Sequence, residues 1–128
     1  MKLNRRSTLA VLAGTAVGAG LATPAFGQAR DYSGPIRILV GFNPGGATDV
    51  VARQVGDKLK DILGQTIIVE NKAGAGGMIA TQQLKAAPAD GSTIMLTIDH
   101  THLIIPMTFK APGYDPATDF TPLAGVAN

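Results

Sequence analysis

The chain has 128 residues, of which 45% are hydrophobic and 16% charged, with no cysteine and a formal net charge of +2. The lack of cysteine excludes disulfides, a cysteine nucleophile and thiolate metal sites. The length is sufficient for one small domain with its own hydrophobic core.

The N-terminal segment has the layout of a secretory signal peptide. A positive stretch over residues 2–6 precedes an apolar run over residues 9–21, and Ala25 and Gly27 supply small residues at the two positions that a signal peptidase reads. This run is shorter than the roughly 20 residues of a membrane-spanning helix. We therefore predict a signal peptide over residues 1–27 and export of the rest. An uncleaved anchor is the alternative, and Arg5-Arg6 leaves twin-arginine export open.

Cleavage after Gly27 changes the charge balance of the chain. The mature part, residues 28–128, keeps eight Lys and Arg and all nine Asp and Glu, so its net charge is −1. The sequence pI of about 9.2 therefore reflects the signal segment. The mature sequence has no basic patch that would indicate a nucleic-acid partner. We predict one soluble α/β domain over residues 28–128.

The mature sequence begins with a strand, a loop and a helix. Residues 35–40 form a β-branched run opened by proline, which is typical of a buried strand. Residues 41–46 are dense in turn formers, and from Thr48 the apolar period becomes helical. Gly64 is expected to end this helix in a left-handed conformation. We expect the helix to face the core with one apolar stripe, formed by Val51, Val55, Leu59 and Ile62.

A second unit repeats this scheme. Residues 66–70 predict a strand, residues 71–77 a glycine-rich loop, and residues 78–87 a helix that Pro88 stops. A third strand is predicted over residues 93–98. The alternation predicts a mainly parallel sheet flanked by helices, with right-handed crossovers.

The C-terminal part shows no clear period from Asp99 onward. Residues 119–128 have the composition of the start of another strand. A parallel sheet this small would leave an edge bare. We therefore expect the chain to be part of a longer protein.

Two glycine-rich loops follow the first two strands, where open α/β sheets bind ligands. Residues 43–49 lead into a helix whose first N–H groups lack internal partners and favour an anion. Thr48 can either cap this helix or donate to a ligand. The loop of residues 71–77 has G-x-G-G spacing, unlike the dinucleotide fingerprint, which requires glycine where Ile79 stands. Tight turns of a generic α/β domain are the alternative interpretation of both loops.

A third loop contains Asp99, His100, Thr101 and His102. The His-x-His pattern can hold a metal ion, but the chain has only two histidines and a site would need more ligands. The alternative hypothesis is a small exported metal-dependent hydrolase that uses Asp99, His100 and His102. No nucleophile–base–acid set is evident, so we predict a binding protein with no catalytic residue, no metal and no cofactor.

Five motifs together carry a resemblance to a known family. They are P-I-R-I-L-V, F-N-P-G-G-A-T-D, L-G-Q-T-I-I-V-E-N-K-A-G-A-G-G, A-P-A-D-G-S-T-I-M-L and Y-D-P-A-T-D-F-T-P-L. Their order resembles that of the tripartite tricarboxylate transporter substrate-binding proteins, the Bug-type receptors. The resemblance covers the chain from about Tyr32 onward.

The resemblance implies a two-lobed Venus flytrap in the periplasm, with residues 28–128 forming part of the first lobe and the second lobe absent. It implies a small carboxylate ligand, which can be a di- or tricarboxylate, an acidic amino acid or an aromatic acid. It also implies delivery to membrane permease subunits, no catalysis and a monomeric receptor. An inactive truncated receptor is an alternative, because one lobe alone would leave half of the ligand in solvent.

The resemblance also implies which residues hold the ligand. Backbone amides and ordered water of the first two loops would bind the carboxylate. These residues are Pro44, Gly45, Gly46, Ala47, Thr48, Asp49, Gly74, Ala75, Gly76 and Gly77. From the place of the third loop after the third strand, we predict that Asp99, His100 and Thr101 add to the site.

Two positions depart from the family pattern. Asp99-His100 replaces a common small Ser/Gly turn, and Ile105 replaces a common Asn. Because Asp99 would repel a carboxylate unless a cation paired with it, the sequence favours a ligand that also carries an amine or amide.

Overall fold

The computed structural model describes residues 34–126, and their centre is a three-stranded sheet in the order β2-β1-β3. The strands are β1 (Ile36–Val40), β2 (Ile67–Asn71) and β3 (Thr93–Leu96). Both neighbouring pairs are parallel. The predicted α/β class with a parallel sheet is therefore confirmed. The predicted signal peptide lies outside the described residues.

Helices connect and flank the strands. They are α1 (Ala47–Leu63), α2 (Met78–Ala86), and a π-helical turn (His100–Ile104) that continues into α3 (Ile105–Thr108). Gly64 ends α1 with φ 64°, as predicted, and its N–H donates to the Lys60 carbonyl. Within residues 34–126, no helix is long and apolar enough to cross a membrane.

The core lies on both faces of the central strand. On one face, Ile38 and Val40 pack with Ala52 of α1. Leu39, which points to the other face and is fully buried, lies opposite Met95 of β3. Thr81 of α2 contacts the sulfur of Met95. The two helices therefore cover opposite faces and hold β1 between them, which leaves the carboxyl ends of the strands free for loops.

The prediction of which α1 face is buried was right only in part, because Leu59 of the predicted stripe packs against the core and Ile62 does not. Ile62 is 78% exposed, and the buried positions are Asp49, Ala52 and Gly56. A β-carbon on Gly56 would lie 3.3 Å from the Cγ2 atom of Ile67, so the missing side chain lets the helix approach the sheet closely. Small residues therefore take the centre of the inner face, and Leu59 packs partly buried beside them.

The C-terminal part differs from the sequence prediction. The third strand ends at Leu96, and residues 100–108, for which no period was recognised, are helical. No strand forms over residues 119–126, so the predicted final strand was wrong there. The preceding segment closes on itself as a turn, in which the Asp119 N–H donates to the Asp115 carbonyl at 2.9 Å. Asp119 also pairs with Lys85 of α2 at 2.7 Å.

Candidate ligand-binding site

Parallel register brings the carboxyl ends of the three strands to one edge, and the three predicted loops meet there. A β-carbon on Gly41, the residue after β1, would lie 2.6 Å from the Cα atom of Gly77. A β-carbon on Gly77 would lie 2.8 Å from the Oγ1 atom of Thr101. The three loops therefore touch each other through glycine backbone.

The first loop presents the N-terminus of the longest helix among the described residues. The first intrahelical hydrogen bond runs from the Val50 N–H to the Gly46 carbonyl at 3.0 Å. The N–H groups of Ala47, Thr48 and Asp49 consequently have no acceptor within the helix. They carry the positive end of the helix dipole, which attracts an anion.

The Thr48 hydroxyl does not cap the N-terminus of α1, which was one of its two predicted roles. Gly46 is the N-cap residue, and no side chain caps the helix. The Thr48 hydroxyl has no hydrogen-bond partner within residues 34–126. It is therefore free to donate to a ligand beside the three amides.

Asp49 is almost completely buried, with 3% of its surface exposed. Its carboxylate accepts hydrogen bonds from the Nε atom of Arg53 at 3.0 Å, from the Gly45 N–H at 2.8 Å and from the Nδ2 atom of Asn71 at 2.9 Å. The bond from Arg53, followed by those from Gly45 and Asn71, lowers the pKa of Asp49 to about 2. Asp49 therefore stays charged and is engaged with the protein, and it fixes the shape of the loop.

Asn71 was missed by the sequence analysis as a site residue. Its Nδ2 atom also donates to the Phe42 carbonyl at 3.1 Å, and its Oδ1 atom accepts from Arg53 at 3.3 Å. One amide thus connects the end of β2 to both ends of the first loop. The available signal was an asparagine at the carboxyl end of a strand, which by itself does not identify its partners.

The second loop has an unusual backbone over residues 74–77. Four consecutive residues have positive φ, with values of 145°, 47°, 67° and 96°. Glycine adopts such angles without steric cost, which explains three of the four residues. Ala75 is the exception, and non-glycine residues in this region carry backbone strain that often marks binding loops.

The third loop is attached to the second one. Thr101 is fully buried, and its hydroxyl donates to the Gly76 carbonyl at 2.7 Å. The Tyr114 hydroxyl donates in turn to the Thr101 carbonyl. The Nε2 atom of His100 lies 3.2 Å from the position of a β-carbon on Gly76. Thr101 therefore holds the loops together, while His100 stays exposed beside the second loop and Asp99, the preceding residue, is also exposed.

The structure does not bring Asp99, His100 and His102 together as metal ligands. No group of three or more His, Cys, Asp or Glu side chains within residues 34–126 could hold a metal ion. His102 lies between aromatic rings, with ring centroids 6.1 Å from Tyr114 and 5.6 Å from Phe120. Burial lowers the pKa of His102. The two histidines of the His-x-His pattern therefore differ in environment: the His100 ring is exposed, and the His102 ring packs against aromatic side chains.

A shallow groove lies elsewhere, along α1. It is lined by Val55, Leu59 and Ile62 together with polar neighbours. It shares no residue with the three loops, whose exposed positions include Pro44 to Ala47, Ala75 and Gly76. The exposed members of the predicted site thus form an open surface at the sheet edge, separate from this groove, while Asp49, Gly77 and Thr101 lie buried beneath it.

Comparisons with known proteins all point to the same family. The family model described as tripartite tricarboxylate transporter family receptor matches residues 51–128. BugT of Bordetella pertussis is 36% identical over 128 residues, which cover 98% of this chain and 39% of BugT. The chain spans between 22% and 39% of the length of the curated relatives that it matches.

Solved structures agree with this result. MatC from Rhodopseudomonas palustris, solved with bound malate, superposes with a TM-score of 0.66 at 36% identity and covers 71% of this chain and 31% of its own. A second R. palustris protein, solved with adipate, gives a TM-score of 0.67 at 36% identity and covers 70% and 30% of the two chains.

Proposed function

The chain belongs to the tripartite tricarboxylate transporter receptor family, and on that premise we propose that it binds a small carboxylate as an extracytoplasmic solute receptor. The bound acid would be released to membrane permease subunits, with no chemical turnover. Two relatives with similar structures bind malate and adipate, which are both small dicarboxylates.

One observation carries the proposal. The N–H groups of Ala47, Thr48 and Asp49 point from the start of a 17-residue helix without internal acceptors, and the Thr48 hydroxyl next to them is free within the described residues. Oriented amides and a hydroxyl suit a carboxylate oxygen, because donors that are already fixed need no reorganisation on binding. The second loop lies in direct contact through Gly77 and extends the surface.

The exported location is also a proposal. Residues 1–27 have the signal-peptide layout, and residues 28–128 would then act in the periplasm as part of a first lobe. The family relationship supports this location, since a receptor must meet its solute outside the inner membrane before transport.

The test is a titration of the ¹⁵N-labelled chain with malate, followed by amide chemical shifts. We expect saturable shifts concentrated at Ala47, Thr48 and Asp49, with a dissociation constant in the millimolar range or weaker, since a single lobe encloses little of the ligand. Malamide, which has no charge, is the matched control and should leave these amides unchanged. Shifts that are absent or spread evenly over the surface would contradict the proposal.

The ligand class can be narrowed with a second matched pair. Asp99 is exposed at the third loop, and its charge favours an acid that also carries an amine. Aspartate differs from succinate only by the amine. We expect tighter binding of aspartate, and an Asp99→Asn variant should remove the difference. Equal binding of the two acids by the wild-type chain would count against this preference.

A further inference from the structure

We propose that Arg53 and Asn71 are positioning residues for the carboxylate site: they neutralise Asp49 and hold it where it shapes the first loop, without contacting the ligand. This inference deepens the proposed function and rests on it. Arg53 lies in α1 outside the glycine-rich loops, and Asn71 is the first residue of the second loop, before its glycines.

The geometry forms a closed set of hydrogen bonds. The Asp49 carboxylate accepts a hydrogen bond from the Gly45 N–H at 2.8 Å. This bond spans the loop and fixes the backbone conformation just before the free amides. Arg53, one turn further along α1, reaches Asp49 at 2.9 Å and Asn71 at 3.3 Å. Asn71 binds Asp49 and the Phe42 carbonyl with the same amide nitrogen. The two sides of the loop are therefore connected through Asn71.

The positive charge of Arg53 gives it a role beyond holding the first loop together. Asp49 is a buried carboxylate whose own N–H belongs to the proposed anion site. Its negative charge would repel a bound acid unless a cation compensated it. Arg53 supplies that cation within the same helix. The Nε and Nη2 atoms of the guanidinium are engaged with Asp49 and Asn71, which fixes its charge next to the buried carboxylate.

The chain offers a matched control for this role. Arg37 also forms an ion pair, with two bonds of 2.6 and 2.8 Å to Glu70. Successive side chains of a strand point to opposite faces of the sheet. Ile38 and Val40 face α1, so the Arg37 side chain lies on the other face. Arg37→Gln therefore removes an arginine ion pair, whose arginine side chain is 37% exposed compared with 52% for Arg53, without changing the first loop.

The experiment compares malate affinity and unfolding midpoints for the variants Arg53→Gln, Asn71→Ala and Asp49→Asn/Arg53→Gln with the Arg37→Gln control. Arg53→Gln should weaken malate binding by about tenfold, because it leaves a buried charge uncompensated beside the anion. The double variant should recover most of that loss, since the asparagine is neutral and its oxygen still accepts the Gly45 N–H. The Arg37→Gln control should bind malate as the wild type does.

A purely structural role would give a different pattern. Arg53→Gln would then lower the unfolding midpoint and leave malate affinity unchanged, or the double variant would bind no better than the single one. Either result would overturn the inference.

A second readout does not depend on any ligand. Amide hydrogen exchange of Gly45 in the ligand-free protein should accelerate by about tenfold in Arg53→Gln and Asn71→Ala, and stay unchanged in Arg37→Gln. If the wild-type chain binds no carboxylate, the proposed function fails, and the exchange rates still decide whether these residues hold the loop. Unchanged Gly45 exchange in both variants would overturn the inference.

Discussion

The Cα atom of Gly77 lies 2.6 Å from the point that a β-carbon on Gly41 would occupy. No real β-carbon tolerates this distance, so the first two loops contact each other backbone to backbone. The contact lies at the carboxyl edge of the sheet, where Gly41 follows β1. It makes the two glycine-rich loops parts of a single surface.

A β-carbon at this contact should be destabilising. We expect Gly41→Ala to lower the free energy of unfolding by about 1–3 kcal/mol, because the loops must separate to admit the methyl group. Gly34→Ala is the control, since its β-carbon would meet nothing within 4 Å, and it should change stability by less than about 0.5 kcal/mol. Urea denaturation measures both. Equal effects of the two substitutions would contradict the close contact.

Asp49 should titrate far below an ordinary aspartate. Its hydrogen bonds from Arg53, Gly45 and Asn71 give a pKa of about 2, compared with about 3.9 in an unfolded chain. Because the folded pKa is the lower one, the stabilisation is complete above about pH 4 and is lost as the pH falls towards 2. NMR titration of the side-chain carboxyl carbon measures the midpoint. A midpoint near 3.9 would show that the network does not form in solution.

His102 should remain neutral at a lower pH than a free histidine. Burial between Tyr114 and Phe120 lowers its pKa below the usual 6.5. The unfolded chain then binds more protons than the folded one at mildly acidic pH, so stability falls as the pH drops below 6.5. The imidazole proton signals, assigned with a His102→Gln variant, give the midpoint. A value at or above 6.5 would disagree with the packed environment.

The Tyr114 hydroxyl should stabilise the third loop. It donates to the carbonyl of Thr101, whose own hydroxyl binds Gly76. Tyr114→Phe keeps the ring packing but leaves a buried carbonyl unpaired, which should cost about 1–3 kcal/mol of unfolding free energy. Thermal unfolding measures the loss. An unchanged midpoint would mean that water replaces the tyrosine hydroxyl.

Export should remove the first 27 residues. Expression of the whole chain in a Gram-negative host and N-terminal sequencing of the periplasmic product should give Gln28 as the first residue. An Ala25→Arg substitution should block cleavage, because signal peptidase requires a small residue there. An intact N-terminus in the wild-type product would support the anchor alternative.

Local patterns predicted much of the fold. The β-branched runs of β1 and β2, the helical period after Thr48 and the terminating Gly64 all lie where the sequence placed them. These features depend on neighbours in the chain, so periodicity and turn residues suffice to identify them. The anion-favouring start of α1 was also predictable, since it follows from backbone geometry alone.

Features that depend on distant residues were decided by the tertiary structure. Asp49 acquires its role from Asn71, 22 positions later in the chain, through strand register that no local pattern encodes. The inner face of α1 was predicted only in part, because Gly56 permits a close approach to the sheet that a hydrophobic stripe does not reveal. The sequence by itself thus determined the elements and the glycine-rich loops, whereas packing between remote segments determined which side chains hold those loops in place.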